Sequence, residues 1–130
     1  MSDPETLIAA AKRARENAHA PFSNFRVGAA LRATSGRVYT GCNVENATYG
    51  LTICAERVAI FKAISEGERG FDAIAVVTDS ERLTPPCGAC RQIIWEFCGD
   101  VEVILANLAG QKEIRRMAVL LPEPFDSSFL

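Results

Sequence analysis

Phe71–Thr78 is an apolar run typical of a central strand, and it has no polar face to leave in water. Such a strand forces a layered fold, because something must cover it on both sides. The neighbouring segments supply cover. Cys54–Ser65 is rich in Ala, Ile, Val and Phe, is broken mainly by Arg57 and Lys62, and stops at Gly67. Cys87–Phe97 is a second apolar segment, stopped near Gly99. Both read as largely buried helices. Strands joined through such helices run parallel, with right-handed crossovers.

The rest of the chain extends this α/β unit. Asp3-Pro4 is an N-cap followed by proline at the first helical position. Leu7, Ile8, Ala11 and Ala14 then recur at helical spacing, which predicts an amphipathic helix ending near Ala18, before Pro21. Phe25–Leu31 and Arg37–Cys42 are strand-like and flank Ser35-Gly36, a hairpin signal. Asn43–Thr52 and Asp79–Pro86 are loops, Val101–Ala106 is a strand, and Glu113–Arg115 is a last short one before a helical turn at Met117–Leu121. A helical crossover takes about a dozen residues or more. The last two strands therefore form an antiparallel hairpin turning at Asn107–Gly110. The expected fold is α/β: a three-layer α-β-α sandwich, with a mixed sheet of about five strands and helices on both faces.

At 130 residues, positions 1–130 make one domain. The 14 basic and 16 acidic side chains leave a net charge of −2, the wrong sign for gripping a phosphate backbone, so nucleic acid is not an expected partner. No apolar run approaches the roughly 20 residues of a membrane span. Met1–Glu5 has no basic segment feeding an apolar stretch, so no signal peptide is expected and the cytoplasm is the expected compartment. Thiols stay reduced there, and an odd count of five cysteines points to metal binding or catalysis rather than a disulfide framework.

Two segments carry that chemistry: Cys54-Ala55-Glu56 and Pro86-Cys87-Gly88-Ala89-Cys90, each opening a buried helix after a loop. Cys87 and Cys90 share one helical face. With Phe71–Thr78 between the helices, both N-termini reach the same sheet edge and three thiols converge. Three thiolates on zinc leave the fourth tetrahedral position open, the pattern of a catalytic site. Glu56 lies two residues from a ligand, within reach of that position as a proton shuttle. Three thiolates also make the centre electron-rich, so something must draw charge off the sulfurs. The helix N-termini contribute, and the Arg57 fork is placed to donate to one or two thiolates.

Taken by itself, Cys87-Gly88-Ala89-Cys90 fits a thiol–disulfide oxidoreductase as well as a metal site, but that reading leaves Cys54 and Glu56 unexplained. A zinc-stabilised binding module without catalysis is a further alternative. Cys42 and Cys98 lack ligand spacing and read as small apolar fillers. His19, the one histidine, has no paired motif, and Trp95 and Phe97 read as core. On spacing, Phe25 is a core strand residue; on composition, Asn43, Glu45 and Asn46 are turn residues.

The Cys-Ala-Glu and Pro-Cys-x-x-Cys pair resembles the signature of zinc-dependent deaminases. More closely, the chain resembles the small homotetrameric cytidine deaminases of pyrimidine salvage, along segments Ala20–Leu31, Gly41–Gly50, Cys54–Arg57 and Pro86–Gln92. The resemblance implies hydrolysis of cytidine and 2′-deoxycytidine with one zinc ion per chain. Cys54, Cys87 and Cys90 would hold the metal and Glu56 would move protons. Asn43 and Glu45 would bind a ribose hydroxyl, Phe25 would pack against base or sugar, and Ala55 would offer its N–H to the ring carbonyl. Phe125 would enter a neighbouring subunit's site, and the apolar tail Pro124–Leu130 suits burial against a second copy. The chain departs from the common pattern at His19 and Phe22, where the family often has tyrosines.

Overall fold

The computed structural model describes residues 3–130; Met1 and Ser2, the start of the segment in which no signal peptide is expected, lie outside the described residues. The elements are α1 (Pro4–Arg15), β1 (Val27–Ala33), β2 (Val38–Cys42), α2 (Ala55–Ser65), β3 (Phe71–Thr78), α3 (Gly88–Cys98), β4 (Glu102–Asn107), β5 (Lys112–Arg116) and the short α4 (Met117–Leu120). Single 3₁₀ turns occupy Tyr49–Leu51 and Ser127–Phe129, the first inside the expected 43–52 loop.

The strands form one five-stranded sheet in the order β2-β1-β3-β4-β5. The helix-linked pair β3 and β4 runs parallel, and β4–β5 closes as the expected antiparallel hairpin. β2 and β3 also point the same way, but β1 lies between them, antiparallel to both. The hairpin return thus inserts a strand into the α/β unit.

Each face of the sheet has its own core. On one, Leu7, Ile8 and Ala11 of α1 cover Ala30, Ala73, Ala75, Val77 and Ile104. On the other, Ile60 and Ala63 of α2, Ile94 of α3 and Met117 of α4 cover Leu31, Ile74, Val76, Val103 and Leu105. β3 contributes to both cores, which is why its sequence has no polar face. The three-layer sandwich follows.

The larger departures from the sequence expectation are at α1 and β1; other element ends shift by a single residue. α1 stops at Arg15 instead of Ala18, because the next amides turn back three residues: Glu16 to Arg13 and Asn17 to Ala14. β1 begins at Val27 rather than Phe25. Ahead of it Asn24 takes a left-handed φ of 57°, and the Asn43 side chain, not a neighbouring strand, bonds the Phe25 carbonyl.

β2 and β3 end at the same sheet edge, and the helices that follow them, α2 and α3, begin there. This is the edge where open α/β sheets build their sites. A glycine sets how closely α2 approaches: a Cβ at Gly41 would lie 2.6 Å from the Ala55 carbonyl oxygen and 2.6 Å from the Ala59 nitrogen.

Candidate active site

Cys54 and Cys87 are the N-cap residues of α2 and α3, and neither side chain caps its helix. The positive helix ends therefore face the sulfurs directly. Cys90 follows one turn into α3. The three Sγ atoms lie within 4.8 Å of one another. Zinc–sulfur bonds of about 2.3 Å draw three thiolates into such a cluster, so the donor set fits a zinc ion with one coordination position left over. Cys90 is fully buried at the back, while Cys87 is exposed at the front.

Cys90 donates to Cys54, and Arg57 Nη2 donates to Cys54 Sγ at 3.3 Å; together they hold the Cys54 thiol down to about 5. Cys90, held as the donor to that sulfur and desolvated besides, is pushed far upward. Arg57 lies against the cluster, with its Nη2 on the Cys54 sulfur. Its buried Nε has no partner among the described residues.

Glu56, in the first turn of α2, is 5 % exposed. Burial, and behind it the charge on Cys54, raises its carboxyl to about 7. Such an acid gives and takes protons near neutrality.

Cys54, Ala55, Glu56 and Cys87 line one cleft of about 230 Å³ together with Phe25, Asn43 and Glu45. Every expected site residue except Cys90, Arg57 and Phe125 therefore borders the same space. Cys90 and Arg57 reach it through the sulfur cluster. Phe125 does not: it stacks on Phe129 at 5.7 Å, with its backbone tied to Gln92 of α3. His19 contributes backbone, pairing with the 43–45 segment, and Cys98 is a half-buried thiol that desolvation pushes up to about 12.

The far end of the cleft is built from loops. Asn43, 8 % exposed, accepts from Val27 N–H at 2.9 Å and donates to the Phe25 carbonyl at 2.7 Å. Glu45 accepts from the amides of Phe22 and Ser23. Beyond it the cleft opens into a shallow bay lined by Phe22, Ser23, Glu45, Tyr49 and Thr52.

Sequence reasoning missed Ser23, Thr52, Thr78, Thr84 and Pro85, all of which line the cleft. Thr78 left a signal: a hydroxyl ending an apolar central strand marks the edge where the sheet meets the site. It bonds Ser80 at 2.8 Å and Thr84 at 3.3 Å, fastening the loop that leads to Cys87. On that loop the Pro86 carbonyl accepts from Arg91 at 2.7 Å. Ser23 left none.

Three thiols at two helix N-termini over a mixed sheet, with a buried carboxyl beside them, make a site suited to metal-assisted hydrolysis. The family described as the cytidine and deoxycytidylate deaminase zinc-binding region matches residues 1–107, and the chain belongs to it. Its class is therefore that of the zinc-dependent deaminases. It is 54 % identical over 129 residues to a cytidine deaminase of Sporosarcina psychrophila, covering 98 % of this chain and 95 % of that protein. The crystal structure of a cytidine deaminase from Burkholderia pseudomallei superposes with a TM-score of 0.91 at 50 % identity, over 96 % of this chain and 100 % of that one. That of the Mycobacterium tuberculosis cytidine deaminase gives 0.84 at 38 % identity, over 96 % and 98 %. Among the described residues, no helix is long and apolar enough to cross a membrane.

Proposed function

We propose that this single catalytic unit hydrolyses cytidine and 2′-deoxycytidine to the uracil nucleoside and ammonia. The observation that carries the reading is the buried Glu56 carboxyl beside the three-sulfur cluster, in a cleft lined by Glu45 and, among the described residues, by no lysine or arginine. A lining without cations favours a neutral nucleoside over a nucleotide carrying a phosphate.

Cys54, Cys87 and Cys90 would hold one zinc ion, which supplies the Lewis acidity that makes water reactive near neutral pH. Glu56 takes a proton from the attacking water and delivers it to ring N3. As the carbon–nitrogen bond at C4 breaks, Glu56 carries the second proton, from the new C4 hydroxyl, to the departing amine. The Ala55 N–H, in the first turn of α2 and without a partner within the helix, receives the ring carbonyl. Phe25 packs against base or sugar, while Asn43 and Glu45 meet a sugar hydroxyl. Arg57 draws charge from the Cys54 sulfur.

We place the protein in the cytoplasm as a homotetramer in which Phe125 reaches a neighbouring subunit's site. Its 60 % exposure in the single chain supports that role. A thiol–disulfide oxidoreductase built on Cys87 and Cys90 has less support, since a third sulfur joins the pair.

The test is ammonia release by zinc-loaded protein from cytidine, 2′-deoxycytidine, their monophosphates and adenosine. Turnover of the two cytosine nucleosides is expected. Turnover confined to monophosphates or adenosine, or none at all, overturns the proposal.

A further inference from the structure

The Glu45 carboxylate is held by a turn rather than left to sample the cleft. The amides of Phe22 and Ser23 both donate to Oε1, at 2.9 and 3.1 Å. The Ser23 hydroxyl donates to the other oxygen, Oε2. That hydroxyl has a single proton, and its own oxygen accepts the Phe25 N–H at 3.0 Å. The Phe25 amide thus occupies one Ser23 lone pair and steers the proton toward Glu45.

The backbone on both sides is fixed independently. His19 N–H donates to the Asn43 carbonyl at 2.9 Å, and Glu45 N–H to the His19 carbonyl at 2.8 Å. Asn24 N–H closes the turn onto the Ala20 carbonyl at 3.0 Å, with Asn24 in the left-handed region. The two amides on Oε1 fix that oxygen in place. Among the described residues, only the Ser23 hydroxyl bonds the second oxygen and fixes the rotation of the carboxylate plane.

A carboxylate offers about four acceptor positions. The two amides use both positions on Oε1 and Ser23 uses one on Oε2, so one acceptor position is left. Ser23 and Glu45 both border the cleft.

We infer that Ser23 is a positioning residue for the sugar: its hydroxyl aims the one free acceptor of Glu45 into the cleft, where it takes a single sugar hydroxyl. This rests on the proposal that Glu45 meets the sugar. The same hydroxyl accepts the Phe25 N–H, the backbone of the aromatic wall, so the test has to separate the two contacts.

The experiment compares Ser23→Ala, Ser23→Thr and Glu45→Gln in the zinc-loaded protein, on cytidine and on 2′,3′-dideoxycytidine, which lacks both secondary sugar hydroxyls. Ser23→Ala should raise KM for cytidine about tenfold, the size of a lost hydrogen bond to a charged group, with kcat little changed. KM for the dideoxy compound should not move, and Ser23→Thr should recover the cytidine value. If Glu45→Gln raises KM for cytidine and Ser23→Ala does not, Ser23 does not aim the carboxylate and the inference fails. It also fails if Ser23→Ala weakens both substrates equally, because the hydroxyl then only holds the wall. If Glu45→Gln leaves KM for cytidine unchanged, the sugar role of Glu45 falls and takes the inference with it.

Discussion

At one end of the cleft, Cys54, Glu56, Cys87 and Cys90 ride on the first turns of two helices that pack on the sheet; at the other, Ser23, Asn43 and Glu45 sit on loops laced together by side chains. The helix end is held by apolar burial and by close approach, as at Gly41 against α2. At the loop end Phe22 and Tyr49 meet edge to face but stay exposed, and the loops depend more on bonds such as Asn43 to Val27 and Phe25. Placing three sulfurs on one ion requires geometry set by rigid elements. Gripping a sugar requires several donors and acceptors facing inward, which short loops supply by satisfying one another. The difference implies that damage at the helix end should abolish chemistry, while damage at the loop end should weaken binding and local stability.

The sharpest test of the helix end is the sulfur cluster. Cys90→Ala should lose zinc and reduce turnover to background, because the remaining pair cannot close the site. Metal analysis beside the activity assay decides this, and zinc retained at wild-type stoichiometry would remove Cys90 as a ligand. Next in size is Glu56→Gln, which keeps the shape but cannot ionise. It should retain zinc and fold while turnover drops about 10²–10⁴-fold. Near-normal turnover would take the proton relay away from Glu56.

The two ends also differ in how legible they are in the amino-acid sequence. The helix end is legible because its residues sit at fixed offsets: Cys87 and Cys90 share a helical face, and Glu56 follows Cys54 by two. The sheet is legible for a similar reason, since the apolar run of β3 admits no exposed face. That β1 inserts between β2 and β3 is not, because hairpin and crossover signals are local and say nothing about which edge the next strand joins. The loop end has no periodicity. Asn43 and Glu45 stand out only through the family resemblance, and Ser23 not at all, because its role depends on a turn that brings residues 23 and 45 together.

Asn43 tests the claim that the loop end is held by hydrogen bonds. Asn43→Ala strands the Val27 N–H and the Phe25 carbonyl at the start of β1. Val27 is half-buried and Phe25 is exposed, so the cost falls at the low end of the about 1–3 kcal/mol that a buried unsatisfied group carries. Denaturant unfolding of the zinc-loaded protein should show that loss, with a raised KM and zinc retained. A change under about 0.5 kcal/mol, the range of ordinary surface substitutions, would mean that the loops are held by something else.

The smallest effect expected is a pH dependence at Glu45. Its carboxyl is held below the ordinary 4.5, first by the Ser23 hydroxyl and then by the Phe22 and Ser23 amides, with His19 adding to the pull and burial opposing it. In the unfolded chain the group returns to its ordinary value, so just below pH 4.5 the unfolded state binds more protons than the folded one. Glu45 therefore adds stability that is complete above the ordinary value and fades as pH falls through the lowered one. The group is open to solvent, so the contribution is screened and small. Glu45→Gln cannot titrate, and it supplies the comparison. The melting-temperature gap between wild type and Glu45→Gln should stay level from neutral pH down to about 4.5 and narrow below it. The same scan on Ser23→Ala should show a smaller gap to Glu45→Gln, because the largest cause of the lowered value is gone. A gap that stays level through the acid range would show that the turn gains nothing from the carboxylate's charge, and the contrast between a packed end and a hydrogen-bonded end would lose its electrostatic part.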